Sequence, residues 1–267
     1  MQNQLRYAIL GRGRWGTTVH LALQTMGRKV LVSSLGRPLE DEYPSPYAER
    51  LQQEMHYLTT EADILWAAIP PHDQAVVLAE ALRAGLHVIV EKPWMADDEV
   101  TAELTRIALE KKCVVGVNFQ YCLLDEVRRT SEAIKEANES PLIFKGKFHI
   151  SRENRLNLPA LHNLGSHLMA IRNHHFPTAR VEMLDVGYAS EDERWLCILS
   201  SSDERRCDLL RHRQNIVSDF ILLFEKAILH GVPFPFDLDF TRTVATNLRE
   251  FKNAESNGQT STMHTCS

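Results

Sequence analysis

Long apolar runs are missing from this 267-residue sequence, and no stretch approaches the ~18–20 residues needed to cross a bilayer. The N-terminus also lacks the basic segment and apolar run of a signal peptide. Lysine and arginine are scattered without a long basic run, and the formal net charge is −5, which disfavours a nucleic-acid partner. From these absences we predict a cytoplasmic protein that contacts neither membrane nor nucleic acid.

Cysteine patterns typical of disulfide frameworks or structural zinc are also missing. The five cysteines are odd in number and widely spaced, and no two form a C-x-x-C pair. Histidines are grouped at His162, His167, His174 and His175. However, His167 and His174 would lie about two helical turns, or roughly 10 Å, apart, too far to share an ion bound at ~2 Å. We therefore expect no metal site.

Short apolar strands alternate with helix-like segments over residues 1–118. This alternation is typical of an α/β domain with a doubly wound parallel sheet that is covered on both faces. The predicted strands are Leu5–Leu10, Lys29–Ser33, Ile64–Ile69, Val88–Val90 and Val114–Asn118. The predicted helices between them are Thr17–Met26, Gln74–Ala84 and Asp97–Lys112.

The pattern changes after residue 118, and residues 119–267 predict an α+β domain with a reduced, mostly antiparallel open sheet. Its predicted strands are Leu142–Ser151, Val181–Tyr188, Trp195–Ser200 and Arg205–Arg211. Short polar segments join the last three strands, which predicts an antiparallel meander. Helices are predicted at Asp125–Ala137, Leu161–Phe176, Ser218–His230 and Asp239–Lys252, and the polar tail over 253–267 is expected to be flexible.

A complete G-x-G-x-x-G pattern, G-R-G-R-W-G, occupies residues 11–16 between the first predicted strand and the first predicted helix. In such a loop the first glycine permits a tight turn, the second lets the backbone approach a pyrophosphate, and the third allows close helix packing. The helix N-terminus favours the anion. We predict a dinucleotide site of the Rossmann type, with a purely structural glycine turn as the alternative. The candidate residues are Gly11, Gly13, Arg14, Trp15 and Gly16.

The end of the second strand lacks the acidic residue that normally binds the ribose 2′-hydroxyl of NAD. The strand runs instead into S-S-L-G-R at residues 33–37, and acids follow only from Glu40. Two hydroxyls and a guanidinium suit a 2′-phosphate, because arginine can bind phosphate oxygens in pairs. We therefore predict NADP(H) in preference to NAD(H), with Ser33, Ser34 and Arg37 as ligands. The alternative is that Arg37 is a solvated loop residue.

The segment L-H-V-I-V-E-K-P-W at residues 86–94 ends a buried strand with Glu91, Lys92 and Pro93. Ligands of doubly wound sheets lie outside the carboxyl ends of the strands. The proline restricts Lys92 to extended geometry and so directs its ammonium group. A partly desolvated lysine at this position suits proton transfer, whereas the alternative is a loop lysine that pairs with Glu91.

Four segments together with the glycine pattern resemble the glucose–fructose oxidoreductase, inositol dehydrogenase and rhizopine-catabolism (Gfo/Idh/MocA) family. They are I-L-W-A-A-I-P-P-H at 64–72, L-A-E-A-L-R-A-G-L-H-V-I-V-E-K-P-W at 78–94, L-G-S-H-L at 164–168, and F-I-L-L-F-E-K-A-I-L-H-G-V-P-F-P-F-D-L-D-F at 220–240. The resemblance is dense over residues 1–118, looser through 119–176, and returns in the last segment. It implies a Rossmann domain followed by a substrate-binding and oligomerisation domain.

The resemblance also implies roles for particular residues. In this family the lysine of the E-K-P tripeptide commonly serves substrate binding and proton transfer, which would be the role of Lys92. Ile69, Pro70 and His72 would line the cofactor, and Glu91 would lie near its ribose or nicotinamide side. Sugars, inositols and sugar-like intermediates are the usual substrates, and imines also occur.

The chain departs from the family pattern in two ways. Many members carry an aspartate and a histidine four residues apart at the start of the helix around 161–176, and the matching residues here are Asn163 and His167. On a helix this spacing puts both on one face, but Asn163 cannot ionise, which puts an alcohol-oxidising relay in doubt. The alternatives are that Asn163 is only a capping residue and that His167 carries no chemistry. Members are also usually longer, so the chain looks like a shortened one.

These observations predict an NADP(H)-dependent oxidoreductase that moves a hydride between nicotinamide and a carbonyl, alcohol or imine carbon of a small sugar-like or biosynthetic substrate. It would act mainly as a reductase, with Lys92, His167 or Tyr121 donating the proton and Asn163 nearby. The principal alternative is a non-catalytic NADP(H)-binding sensor or accessory subunit, and a transferase or hydrolase that uses the nucleotide without redox chemistry is a third. The sheet of the second domain could form a homodimer.

Overall fold

The structure is a computed structural model that describes residues 4–33, 45–151, 158–211 and 215–256. Five parallel strands form the first sheet in the order β2-β1-β3-β4-β5. They are β1 (Tyr7–Leu10), β2 (Val30–Ser33), β3 (Ile64–Ala67), β4 (His87–Val90) and β5 (Val115–Val117). The strand order reverses at β1, which lies between β2 and β3, and ligands of such sheets bind at this reversal.

Four helices connect these strands: α1 (Arg14–Thr25), α2 (Ser45–Glu61), α3 (Pro71–Arg83) and α4 (Asp98–Lys111). The helix α2 was not predicted from the sequence. Its apolar face is short, since Met55 and Leu58 are its core residues among the described side chains, and such a face gives a weak helical period.

The second sheet has four strands in the order β7-β6-β8-β9. They are β6 (Ile143–Ile150), β7 (Arg180–Tyr188), β8 (Glu193–Leu199) and β9 (Glu204–Asp208). The pair β6–β7 is parallel, whereas β6–β8 and β8–β9 are antiparallel. The prediction of a mostly antiparallel sheet is confirmed, but the three-strand meander is wrong, because β6 lies between β7 and β8. A helical segment connects β6 to β7, and such a crossover produces a parallel pair.

The remaining helices are α5 (Asp125–Ala137), α6 (Ser166–His175), α7 (Ile216–His230) and α8 (Leu238–Ser256). A 3-10 turn at Gln120–Leu123 precedes α5, and a π-helical turn at Leu161–Gly165 leads into α6. Because α8 continues to Ser256, the first part of the tail predicted to be flexible is helical, and residues 257–267 lie outside the described ranges. Among the described helices, none is long and apolar enough to cross a membrane.

The chain divides into two compact units, residues 1–118 with 220–240 and residues 119–219 with 241–267. The predicted second domain included residues 220–240, but these belong to the first unit. Glu225 on α7 explains part of this assignment, because it accepts a hydrogen bond from the Tyr7 hydroxyl (3.0 Å) and two from the Arg28 guanidinium (2.7 Å each). Sequence patterns do not reveal that α7 packs against the first unit, because these hydrogen bonds join residues about 200 positions apart.

Candidate functional site

The glycine loop lies directly after β1, at the position where the strand order reverses. Gly11 has a φ of +111°, a backbone conformation that other residues rarely adopt. A Cβ on Gly11 would collide with the carbonyl oxygen of Ala68, and one on Gly16 would collide with the carbonyl oxygen of Gly11. These two glycines are therefore required by the packing of the loop itself.

Gly13 differs from the other two glycines of the loop, because a Cβ there would meet nothing within 4 Å. The residue is exposed, and it is the N-cap of α1 with φ −69° and ψ 177°, values that any residue adopts. No contact of the described residues thus explains a glycine here. A backbone left bare at a helix N-terminus is what a pyrophosphate requires, so the loop fits a dinucleotide.

The carboxylate of Glu91 follows β4 and lies at the carboxyl ends of the central strands. Its Oε1 accepts hydrogen bonds from the indole Nε1 of Trp15 and from that of Trp66 (2.7 Å). The Asn118 amide nitrogen lies 3.1 Å from Oε1 and 3.3 Å from Oε2. Burial raises the pKa of Glu91 to about 7, although these hydrogen bonds and the charge of Lys92 act in the opposite direction. We call these residues, Trp15, Trp66, Glu91 and Asn118, the Glu91 cluster.

The other candidates of the first unit lie after β3 and β4. Lys92 is half-buried, and a cis peptide bond joins it to Pro93. Pro70 is the N-cap of α3, and His72 is an exposed residue of its first turn, with Nε2 3.4 Å from a carboxylate oxygen of Asp73. The half-buried Ile69 accepts a hydrogen bond from the side chain of Gln74 (3.4 Å) through its carbonyl oxygen.

The end of β2 differs from what the sequence suggests. Ser33 is buried, and its hydroxyl donates a hydrogen bond to the carboxylate of Glu54, which comes from α2. An acidic side chain therefore does lie beside the end of this strand, supplied from 21 residues further along the chain. Ser34 and Arg37, on which the predicted preference for NADP(H) also rests, lie outside the described residues.

The second unit brings Tyr121 and His167 together. The His167 ring meets the ring of Tyr121 edge-on at 4.7 Å and stacks on Phe148 at 5.2 Å between centroids. Arg194 at the start of β8 donates a hydrogen bond to the Tyr121 hydroxyl oxygen (2.5 Å) and lies over the Phe148 ring (4.9 Å). The Arg194 side chain is 11% exposed, and its charge is matched by Asp192 at 2.5 Å. We call Tyr121, Phe148, His167 and Arg194 the Tyr121 cluster.

Asn163 lies in the π-helical turn and His167 in α6. The Asn163 amide nitrogen donates to the hydroxyl of Tyr188 (2.8 Å), whereas His167 packs in the Tyr121 cluster. Both are buried, with exposed fractions of 9% and 4%. A π-helical turn is wider than an α-helical one and often occurs at functional sites.

The neighbouring residues His174 and His175 have contacts that fit a role in packing. The ring Nε2 of His175 donates to the carbonyl oxygen of Cys122 (2.7 Å), which connects α6 to the 3-10 turn. Burial, together with the nearby His175, lowers the pKa of His174 to about 4. Within the described ranges, no group of three or more His, Cys, Asp or Glu side chains is arranged to hold a metal ion.

Six residues of these sites were not predicted from the sequence: Glu54, Trp66, Asn118, Phe148, Tyr188 and Arg194. Trp66 and Asn118 had a usable signal, since they lie in or just after parallel strands whose carboxyl ends form the site. Glu54 and Arg194 had none, because only the packing of α2 and the pairing of β6 with β8 bring them into place.

A parallel sheet with a glycine loop after β1 and a Glu-Lys-Pro segment after β4 is the arrangement expected of a nucleotide-dependent oxidoreductase. Residues 5–119 match the family model GFO_IDH_MocA, described as an oxidoreductase family with an NAD-binding Rossmann fold. Over this part of the chain, the match confirms the resemblance to Gfo/Idh/MocA oxidoreductases found in the sequence.

Solved structures match over nearly the whole chain. UDP-N-acetylglucosamine 3-dehydrogenase GnnA from Acidithiobacillus ferrooxidans has a TM-score of 0.76 at 16% identity, covering 94% of this chain and 97% of that one. GenD2 from gentamicin A biosynthesis, in complex with NAD, has a TM-score of 0.78 at 15% identity, covering 99% of this chain and 97% of that one. Myo-inositol 2-dehydrogenase from Lactobacillus plantarum has a TM-score of 0.74 at 14% identity, covering 96% of this chain and 98% of that one. At these identities the likeness shows the fold. A search of curated proteins found no match.

Proposed function

We propose that the protein transfers a hydride between a nicotinamide dinucleotide and a carbonyl, alcohol or imine carbon of a small substrate. The observation that carries this proposal is the glycine loop: two of its glycines are required by backbone packing, and the third leaves open space at the N-terminus of α1. Gly11, Gly13, Arg14, Trp15 and Gly16 would hold the pyrophosphate through backbone N–H groups. The bound nicotinamide would supply or accept the hydride.

Proton transfer is assigned to a small set of side chains. Lys92 follows the Glu91 cluster at the carboxyl end of β4, where ligands of such sheets bind, and it is the first candidate. Tyr121 and His167, which contact each other, are the second and third. Arg194 is a donor only, so the oxygen of Tyr121 accepts from it and the hydroxyl proton of Tyr121 points elsewhere.

Reduction is the direction we favour. Oxidation of an alcohol requires a group that accepts the hydroxyl proton, and a carboxylate beside the histidine would help it to do so. Asn163 cannot ionise, and its amide is committed to Tyr188. Proton donation during reduction depends less on that position. The names of GnnA and of the inositol dehydrogenase support a sugar-like or polyol-like substrate.

The choice of nucleotide rests on opposing observations. The predicted preference for NADP(H) depends on Ser33, Ser34 and Arg37. Against it, Ser33 donates to the carboxylate of Glu54, and an acid beside β2 suits a ribose 2′-hydroxyl and repels a 2′-phosphate. NAD(H) is therefore the second candidate. Binding constants for both nucleotides would decide, and Glu54→Gln should improve NADPH binding relative to NADH if Glu54 faces the 2′ position.

The face of the second sheet that carries Lys145 and Lys147 supports the homodimer predicted from the sequence. On this face Lys145 and Lys147 of β6 form ion pairs with Glu182 of β7 (2.9 Å) and Glu193 of β8 (2.8 Å). The buried His149 of the same strand shares a hydrogen bond with Asp185 of β7 (2.7 Å). A surface with both charge signs can be complementary to its own copy. Sedimentation would measure the assembly, and the cytoplasmic location also stays a prediction.

Nucleotide titration followed by a carbonyl and imine screen tests the enzyme against the sensor. A catalyst should lose at least 100-fold in turnover on Lys92→Ala, while its nucleotide Kd changes by less than about threefold. The matched control is Lys226→Ala, which removes an exposed lysine of α7. A sensor would turn over no substrate and would still respond to the ratio of reduced to oxidised nucleotide. Absence of binding to either nucleotide would overturn both readings.

A further inference from the structure

The carboxylate of Glu91 accepts hydrogen bonds from three separate segments of the first unit. Trp15 comes from the first turn of α1, Trp66 from β3, and Asn118 from the segment after β5. Their N–H groups converge on Oε1, and Asn118 also reaches Oε2. One side chain therefore connects the glycine loop to the strand ends beside Lys92.

Burial makes this acceptor indispensable to its donors. Trp66 is fully buried and Asn118 is 1% exposed, so water cannot replace Glu91 as their partner. A buried N–H group without an acceptor is costly. Because both oxygens of Glu91 receive hydrogen bonds from the protein itself, the role of Glu91 toward a nucleotide need not be direct contact.

Trp15 carries this connection into the glycine loop. It lies between Arg14 and Gly16 in the first turn of α1, where the free N–H groups of a helix face an anion. The backbone of that turn is closely packed, since Gly16 has no room even for a Cβ against the carbonyl oxygen of Gly11. A shift of the Trp15 indole would therefore move the N–H groups that the pyrophosphate needs.

We propose that Glu91 is a positioning residue for the dinucleotide, which acts through the indole of Trp15 by fixing the first turn of α1. This inference rests on the proposed function, because it assumes that the loop binds a nucleotide. It assigns Glu91 an indirect role in place of the ribose or nicotinamide contact that the family resemblance implies. It also gives Trp15, a variable position of the glycine pattern, a specific task.

Isothermal titration calorimetry of the full chain with NADPH and with NADH tests the proposal, because its signal does not depend on tryptophan. Trp15→Phe keeps an aromatic ring and removes the N–H, and we expect it to weaken binding about tenfold. Glu91→Leu should weaken binding by a similar factor, and the double variant should be no weaker than the weaker single variant. Glu91→Gln keeps an acceptor oxygen and should stay within about threefold of the unmodified chain.

Two further variants separate positioning from general stability. Trp195→Phe removes another indole–carboxylate hydrogen bond, from Trp195 to Glu193 (2.9 Å) in the second unit, and should leave the nucleotide Kd unchanged. Trp66→Phe removes a donor to the same Oε1 without touching α1. It should lower the melting temperature while changing the Kd less than Trp15→Phe does.

The outcomes distinguish this proposal from the proposed function. If the unmodified chain binds a nucleotide and Trp15→Phe binds it equally well, Glu91 does not act through Trp15 and only the positioning proposal fails. Equal losses in Trp15→Phe and Trp66→Phe would likewise overturn it, since they would reflect general stability. If the unmodified chain binds neither nucleotide, the proposed function fails and the positioning proposal fails with it.

Discussion

The two units assemble their candidate sites from the chain in different ways. In the first unit, the glycine loop and the Glu-Lys-Pro segment are contiguous motifs placed after β1 and β4, and parallel pairing brings the ends of these strands to one edge. In the second unit, the Tyr121 cluster combines a 3-10 turn, β6, α6 and β8. The first arrangement follows from local sequence, whereas the second exists only after the sheet has paired.

The largest expected effect concerns the packing of the glycine loop. Gly16→Ala should lower the free energy of unfolding by about 3 kcal/mol, because the added Cβ collides with the backbone of Gly11 and α1 must move away from β1. Thermal or urea unfolding measures this loss. The matched substitution is Gly27→Ala, at an open position of positive φ outside the loop, where the cost is backbone strain alone and should be about 1 kcal/mol. Equal losses at the two glycines would contradict the packing argument.

A substitution in the Tyr121 cluster of the second unit should lower the turnover rate and leave the nucleotide affinity unchanged. Tyr121→Phe should reduce kcat about 100-fold, or a little under 3 kcal/mol, if its hydroxyl donates the proton. Binding of nucleotide should be unchanged, since the glycine loop belongs to the other unit. Steady-state kinetics with a substrate found by the screen gives the measurement.

Tyr57→Phe is the control for this substitution, because it removes a hydroxyl from a tyrosine that is 51% exposed. Full activity of Tyr121→Phe would restrict proton donation to Lys92 and His167. Loss of nucleotide affinity in Tyr121→Phe would contradict the separation of tasks between the two units.

The difference between the units explains how far sequence reasoning reached. Hydrophobic runs and the glycine pattern predicted the parallel sheet, because each strand and its motif are local. The predicted meander was wrong because it required β7 to pair with β8, whereas β6 lies between these two strands and pairs with each of them. No local sequence pattern distinguishes the two arrangements. Residues 220–240 were assigned to the second domain because the hydrogen bonds of Glu225 to Tyr7 and Arg28 leave no mark in local composition.

Individual site residues follow the same division. Lys92 and the three loop glycines could be singled out because each belongs to a short motif. Glu54 was missed because an acid beside β2 was sought in the residues right after the strand, and α2 supplies it instead. Arg194 was missed because its partner Tyr121 lies 73 positions away. Burial and charge at these positions depend on tertiary packing, which periodicity does not encode.

Glu91 should make the stability of the first unit depend on pH. Its pKa rises from 4.5 to about 7 on folding, so its contribution to stability is fully present below pH 4.5 and is lost as the pH rises to 7. The loss should be roughly 2 to 3 kcal/mol across this window. Glu91→Gln cannot titrate, so the difference between the unfolding free energies of the two proteins should change by this amount between pH 4.5 and 7. A constant difference would show that Glu91 ionises normally.

The smallest expected effect on stability is at Gly13, which differs from Gly11 and Gly16 because its surroundings have room for a side chain. Gly13→Ala should leave the melting temperature unchanged or slightly raised, because the Cβ meets nothing within 4 Å and the backbone angles suit alanine. The same methyl group would occupy the space that a pyrophosphate needs, so the nucleotide Kd should rise about tenfold, or about 1.4 kcal/mol. Calorimetric titration beside a thermal melt measures both quantities on one sample. An unchanged Kd would mean that the open space above Gly13 is not where the nucleotide binds, and an unstable variant would mean that the loop needs this glycine for its own folding.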